Sequence, residues 1–295
     1  MNGNNREINL FADYGLLARL GILFGLFFIM LMANSFISAS ISIFKLDERT
    51  EALTVSAIQS IFVFIIPSLI YARCVSSKPA VVLDLNRRPY LTAIGGIIVI
   101  YLIGLPFLNQ VIYWNGAVTF PASLKSIESI FHDMEDRAME WTEILLSSTS
   151  VGGLISGILI IGVLTGFAEE LFFRGSLQNI MVRRGINPHL SIWCAAFIFS
   201  FLHFQFFGFV PRLLLGAFFG YLLYWTDSIW VSVTAHALNN SLVVVTSWLT
   251  RNEIISIDVE SVGILERGFP WIALISLVLL TLVIGKYKDS LFKRE

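Results

Sequence analysis

The chain has 295 residues, of which 56% are hydrophobic and only 14% charged, with a mean hydropathy of +0.77 and a net charge of −1. That apolar excess lies outside the range of soluble globular domains. A near-neutral charge with no aromatic-basic interleaving outside the apolar runs argues against nucleic acid as a partner and leaves membrane lipid as the solvent this composition suits.

A helix needs roughly 20 residues to cross the hydrocarbon layer. Runs of about that apolar length fall, in chain order, at 16–44, 52–74, 91–113, 152–181, 190–207, 211–226, 229–249 and 270–286. They are continuous rather than alternating, which predicts helices and not barrel strands. The fold class expected is therefore all-α, a polytopic integral membrane bundle of about eight transmembrane helices. Ser38-Ala39-Ser40, near the end of the first run, resembles a processing site. The length of that run and the spans behind it predict a retained anchor instead.

Basic residues in the loops set the orientation. With the N-terminus inside, the cytoplasmic set is Arg6, Arg73, Lys78, Arg87, Arg88, Arg183, Arg184, Lys286, Lys288, Lys293 and Arg294. The outer set is shorter: Lys45, Arg49, Lys125, Arg137, Arg212, Arg251 and Arg267. Both termini are expected in the cytoplasm. Cys74 then lies at a cytoplasmic helix end and Cys194 inside a span, so neither is placed for an extracellular disulfide.

The one long connection, 114–151, holds an amphipathic pattern. Leu124, Ile127, Phe131, Met134, Ala138, Trp141 and Leu145 recur at spacings of three and four, while Glu128, Asp133, Glu135, Asp136, Glu140 and Glu143 occupy the other face. This predicts a helix lying on the membrane surface or capping the bundle, with a substrate-gating lid as the alternative.

The fourth run is interrupted by charge. In "GFAEELFFRG", residues 166–175, Glu169 and Glu170 are the acids well inside a span, Asp227 falling at a predicted turn. Intramembrane charge costs at least a few kcal/mol, so its presence points to internal pairing or to function. Glu170 and Arg174 are four apart and share a face, acid before base, and can neutralise each other. Glu169 points about 100° away and has no partner on its own helix. Gly162, Thr165 and Gly166 share its face and form a small-residue strip where another backbone can come close, so Glu169 is expected to face the bundle interior.

Two histidines add to this. His203 in "FSFLHF" and His236 in "VTAHALNNS" fall in later apolar runs, and Asn239 and Asn240 follow His236 at three and four residues, so either can share its face. A lone helix histidine is ordinarily a packing residue. Two of them on separate spans, with an unpaired glutamate and an asparagine, make the pattern of a site in a bundle core.

Glu169 to Arg174 reads EExxxR, Phe199 to His203 reads FxxxH, and His236 to Asn240 reads HxxxN. In that order on successive apolar segments, these residues resemble the CPBP family of CAAX prenyl proteases, bacteriocin-processing and abortive-infection membrane proteins. The resemblance covers roughly residues 150–250 and implies an eight-helix, glutamate-dependent intramembrane endopeptidase. It implies that Glu169 activates a water together with His203, that His236 and Asn240 stabilise the oxyanion, and that Arg174 holds Glu170. The organisation expected is 1–151 as N-terminal spans plus the surface helix, 152–250 as the catalytic core, and 251–295 as an outer loop, a final span and a short basic tail.

Amide hydrolysis also needs water to reach the site through a cavity. Arg183 and Arg184 follow the glutamate segment, which suggests an opening towards the cytoplasm. Glu169, His203 and His236 could supply an open zinc site, yet no HExxH is present and no two histidines share a helix turn, which favours a metal-free mechanism. The partners expected are membrane lipids and a membrane-anchored, lipidated or hydrophobic peptide, in a prokaryotic cell membrane. The rival function is a non-catalytic immunity, binding or transport protein using the same polar cluster. The inverted repeat and paired broken helices of many transporters are absent from the sequence.

Overall fold

The computed structural model describes residues 13–89, 91–256, 262–266 and 270–292. Arg6, Arg267, Lys293 and Arg294 of the charge count lie outside them. Among the described residues there are helices and turns and no strand. Eight apolar helices follow the predicted order: α1 (Leu16–Phe44), α2 (Glu48–Val75), α3 (Thr92–Gly116), then, after the amphipathic α4 (Lys125–Leu145), α5 (Val151–Arg183), α6 (Pro188–Phe201), α7 (Phe206–Thr226), α8 (Ile229–Arg251) and α9 (Trp271–Lys286). Six of the eight have the length and apolarity to cross a membrane, α6 and α9 being shorter. The chain is an integral membrane protein built as a polytopic helical bundle, as the apolar runs predict.

Helix α5 is the centre of the bundle. Phe172, Phe173, Leu177, Ile180 and Met181 from it interlock with Leu23 and Phe27 of α1, Val63 and Tyr71 of α2, and Ala195 and Phe199 of α6. A second cluster joins Ala93, Ile97 and Ile100 of α3 to Phe219 and Leu222 of α7 and Val231 and Ala235 of α8. In lipid the backbone must satisfy itself, which is why so much of the chain is helical.

The small-residue strip does what its spacing predicts. α8 packs along α5, and a side chain at Gly157 or Gly162 would run into Val244 or Ser241. At Gly166 a Cβ would lie 3.0 Å from the Ala237 nitrogen and 3.2 Å from its Cα. Because that neighbour is backbone, the helices must separate to admit it. Gly166→Ala is expected to cost about 1–3 kcal/mol by overpacking and to displace the adjoining His236; a thermal melt and a cleavage assay read the two effects.

One span ends early. The apolar run 190–207 predicts a helix through His203, but α6 stops at Phe201 and His203 sits in the turn beyond it, followed by Phe204 at φ 54°. Apolarity cannot mark this end, because "FSFLHFQFF" is greasy on both sides of the break. Polar tertiary contacts hold it: Gln205 donates from Nε2 to Glu135 on α4 at 3.0 Å, and its Oε1 accepts from Arg212 on α7 at 2.7 Å.

Helix α4 forms where its stripe predicts. Phe131 stacks on Phe206 at 4.9 Å and His132 on Phe207 at 4.4 Å, while Ile127, Ile130, Met139 and Trp141 stay exposed. It thus borders the loop that carries His203. Glu128, assigned to the polar face, is buried, accepting from the Phe120 nitrogen and pairing with Lys125. These contacts hold the Glu128 carboxyl below its usual range.

Candidate active site

Glu169 and Glu170 close a short α-helical stretch, Thr165–Glu170, set between two π-helical stretches of α5, Ile158–Leu164 and Leu171–Gln178. Such widened turns recur at functional positions. In a π-helix, whose bonds close five residues on, a residue four ahead still lies almost one turn away, so Arg174 remains above Glu170. Arg174 donates from Nη1 to Glu170 Oε1 at 2.8 Å and from Nη2 to the Gly216 carbonyl at 2.6 Å, with both ionic side chains fully buried. The rings of Phe173, Phe199 and Phe219 surround the guanidinium at 5.9, 5.0 and 5.6 Å.

The same Glu170 oxygen accepts from His236 Nδ1 at 2.8 Å. This second bond sets the imidazole with its Nε2 towards Glu169, 3.6 Å from Oε2. Phe219 stacks on the ring at 4.7 Å and Phe199 meets it edge-on at 5.8 Å. Glu170 is thereby committed to Arg174 and His236. Glu169 makes no hydrogen bond among the described residues and keeps 11% of its side chain exposed.

His203 and Asn240 are held close by but are not bonded to Glu169. His203 Nδ1 pairs with the Phe199 carbonyl at 2.8 Å, which leaves Nε2 free, and its ring meets the Phe199 ring at 4.9 Å. It lies in the electrostatic field of Glu169, Arg212 and His236. Asn240 stands one turn beyond His236 on α8 and donates to the Ile161 carbonyl of α5 at 3.2 Å. The structure therefore joins Glu169, Glu170, Arg174 and His236 in one contact network and sets His203 and Asn240 beside it.

Every residue from Ala168 to Met181 is buried, and Arg183 is tied to Asp84 at 2.9 Å and to the Val81 carbonyl at 3.0 Å. Arg183 and Arg184 themselves stand exposed at the end of this helix. Burial pushes the Asp84 carboxyl up, against the pull of Arg183. Among the described residues no three His, Cys, Asp or Glu side chains converge closely enough to hold a metal ion, so Glu169, His203 and His236 do not assemble as its ligands.

Phe219 and the Gly216 carbonyl shape the site without having been readable as functional, whereas Phe199 opens the FxxxH motif. Phe219 is one of 25 phenylalanines, and nothing in its spacing marks it. A backbone carbonyl leaves no residue signature at all, although a glycine one turn before another, Gly216 and Gly220, marks close packing of α7.

This arrangement, a buried glutamate pair with a histidine set between them inside a helical membrane bundle, defines the class as a membrane protein with an embedded polar site. Residues 151–242 match the family model described as "Type II CAAX prenyl endopeptidase Rce1-like". That segment, about a third of the chain, holds all three motifs, and the match supports the resemblance to the CPBP family. The chain is also similar to the "Uncharacterized protein YpbD" of Bacillus subtilis (strain 168), with 33% identity over 86 residues, 28% of this chain. The matched part spans 41% of that relative. No solved structure matches this chain.

Proposed function

We propose that this protein is an intramembrane endopeptidase that hydrolyses a peptide bond of a membrane-associated or lipidated substrate, using Glu169 to activate water. The observation that carries this reading is the unequal fate of the two glutamates. Glu170 Oε1 is engaged by both Arg174 and His236, whereas Glu169 is left unbonded beside the imidazole with 11% of its side chain exposed. A carboxylate held inside a bundle with its proton-accepting oxygens unspent is placed to take a proton from water.

In the proposed reaction, Glu169 removes a proton as the water oxygen attacks the scissile carbonyl carbon, with His203 Nε2 holding the water. The oxyanion that forms is met by an N–H of Asn240, with the His236 ring edge beside it. Glu169 returns the proton to the departing amine as the C–N bond breaks. Substrate and water enter from the α4 side of the bundle, where His203 lies. With both termini cytoplasmic, as the loop charges favour, that entrance faces outward.

The test is cleavage of a panel of lipidated and membrane-spanning peptides by the purified protein, with and without chelator. Chelator-resistant cleavage of at least one member is the expected result. Loss of cleavage with chelator would bring a metal into the mechanism, and cleavage of none would favour the binding or immunity reading.

A further inference from the structure

Asn240 is useful to the proposed reaction only if its nitrogen, not its oxygen, serves the oxyanion. The two ends of a carboxamide have nearly the same shape, so packing alone does not choose between them. A directional hydrogen-bond chain does. The Ile161 carbonyl can only accept, so the Asn240 nitrogen must face it, at 3.2 Å. The Asn240 oxygen then faces the other way and accepts from Asn239 Nδ2 at 3.1 Å. That turns the Asn239 oxygen towards α3, where it accepts from the Tyr101 hydroxyl at 2.8 Å. Each bond fixes the polarity of the next, and the chain ends on a residue outside the matched segment 151–242.

We infer that Tyr101 and Asn239 are positioning residues that lock the Asn240 carboxamide with its nitrogen towards α5, one N–H spent on Ile161 and the second left for the substrate. This rests on the proposed role of Asn240 as an oxyanion donor. An unlocked amide would turn its lone pairs towards the developing negative charge for part of the time. Electrostatic stabilisation of that charge depends on donors being aligned beforehand, so the loss would fall on the chemical step and spare substrate binding.

Asn239→Asp and Tyr101→Phe test this without altering shape. An Asp carboxylate at 239 can only accept, so it repels the Asn240 oxygen and favours the reversed amide. Asn-selective 15N labelling of the protein in detergent micelles reads the Asn240 side-chain NH2 signals, assigned by their disappearance in Asn240→Ala. Those signals are expected to move in both variants. Their staying put in both would overturn the lock, whatever the activity. The second arm uses an internally quenched peptide ending in S-farnesylcysteine and three further residues. A fall in kcat of about tenfold or more at unchanged KM is expected for Asn239→Asp, a smaller fall for Tyr101→Phe, and about a hundredfold for Asn240→Ala. Moved NH2 signals with kcat unchanged would overturn the positioning role. Cleavage that survives in Glu169→Gln would instead overturn the catalytic reading, leaving the NMR arm to decide the lock.

Discussion

Glu169→Gln should fold, insert and purify as the parent does, and should lose peptide cleavage by about 10²- to 10⁴-fold, the contribution of a positioned general base. The exchange keeps the size of the side chain and replaces an oxygen that can take a proton with an amide that cannot. Its structural cost is small because Glu169 makes no hydrogen bond that the amide would break; its nearest ionic contact is the 3.6 Å approach to His236 Nε2. The measurement is single-turnover cleavage of a peptide that the parent cuts, with the melting temperature of both proteins recorded beside it. Activity within about twofold of the parent would move the base to another group, and His203, with its free Nε2, would be the next to replace. A melting temperature that collapses together with activity would mean that the charge was holding the bundle.

The largest loss of stability is expected from Arg174→Ala. This guanidinium is fully buried and bonds both Glu170 and the Gly216 carbonyl, so its removal leaves a carboxylate in the core with only His236 for company. Breaking a buried pair from one side costs about 3–5 kcal/mol, and the network has little slack, since Glu170 Oε2 is already without a hydrogen-bond partner. Arg174→Lys would be a poor substitute, because a point charge cannot reach both acceptors as the planar fork does. The double variant Glu170→Leu with Arg174→Met separates stability from function. Removing both charges for apolar groups of similar bulk should restore much of the lost stability. Activity should stay low, because His236 Nδ1 loses the acceptor that aims its Nε2. A double variant that melts near the parent temperature and still cleaves would show that Glu170 does not orient His236.

Much of this molecule follows from the order of its residues. Continuous apolar runs located all eight apolar helices, because in lipid a helix is the one open-chain structure that satisfies its own backbone. The four-residue step from Glu170 to Arg174 and the small strip Gly162, Thr165 and Gly166 are local, and both behave in the bundle as helix geometry requires. The end of α6 was not legible: the residues on each side of the break are equally apolar, and only Gln205, held between Glu135 and Arg212, marks where the chain turns. The same holds for the site. Sequence alone could nominate Glu169, His203, His236 and Asn240 as candidates and could pair Glu170 with Arg174. It could not show that His236 turns Nδ1 to Glu170 and Nε2 towards Glu169, that Arg183 is tied to Asp84, or that Tyr101 reaches Asn240 through Asn239. Those facts depend on the rotation and approach of separate helices, set by packing between side chains far apart in the chain. Spacing within one helix determines which of its residues share a face; only the tertiary structure decides what that face meets.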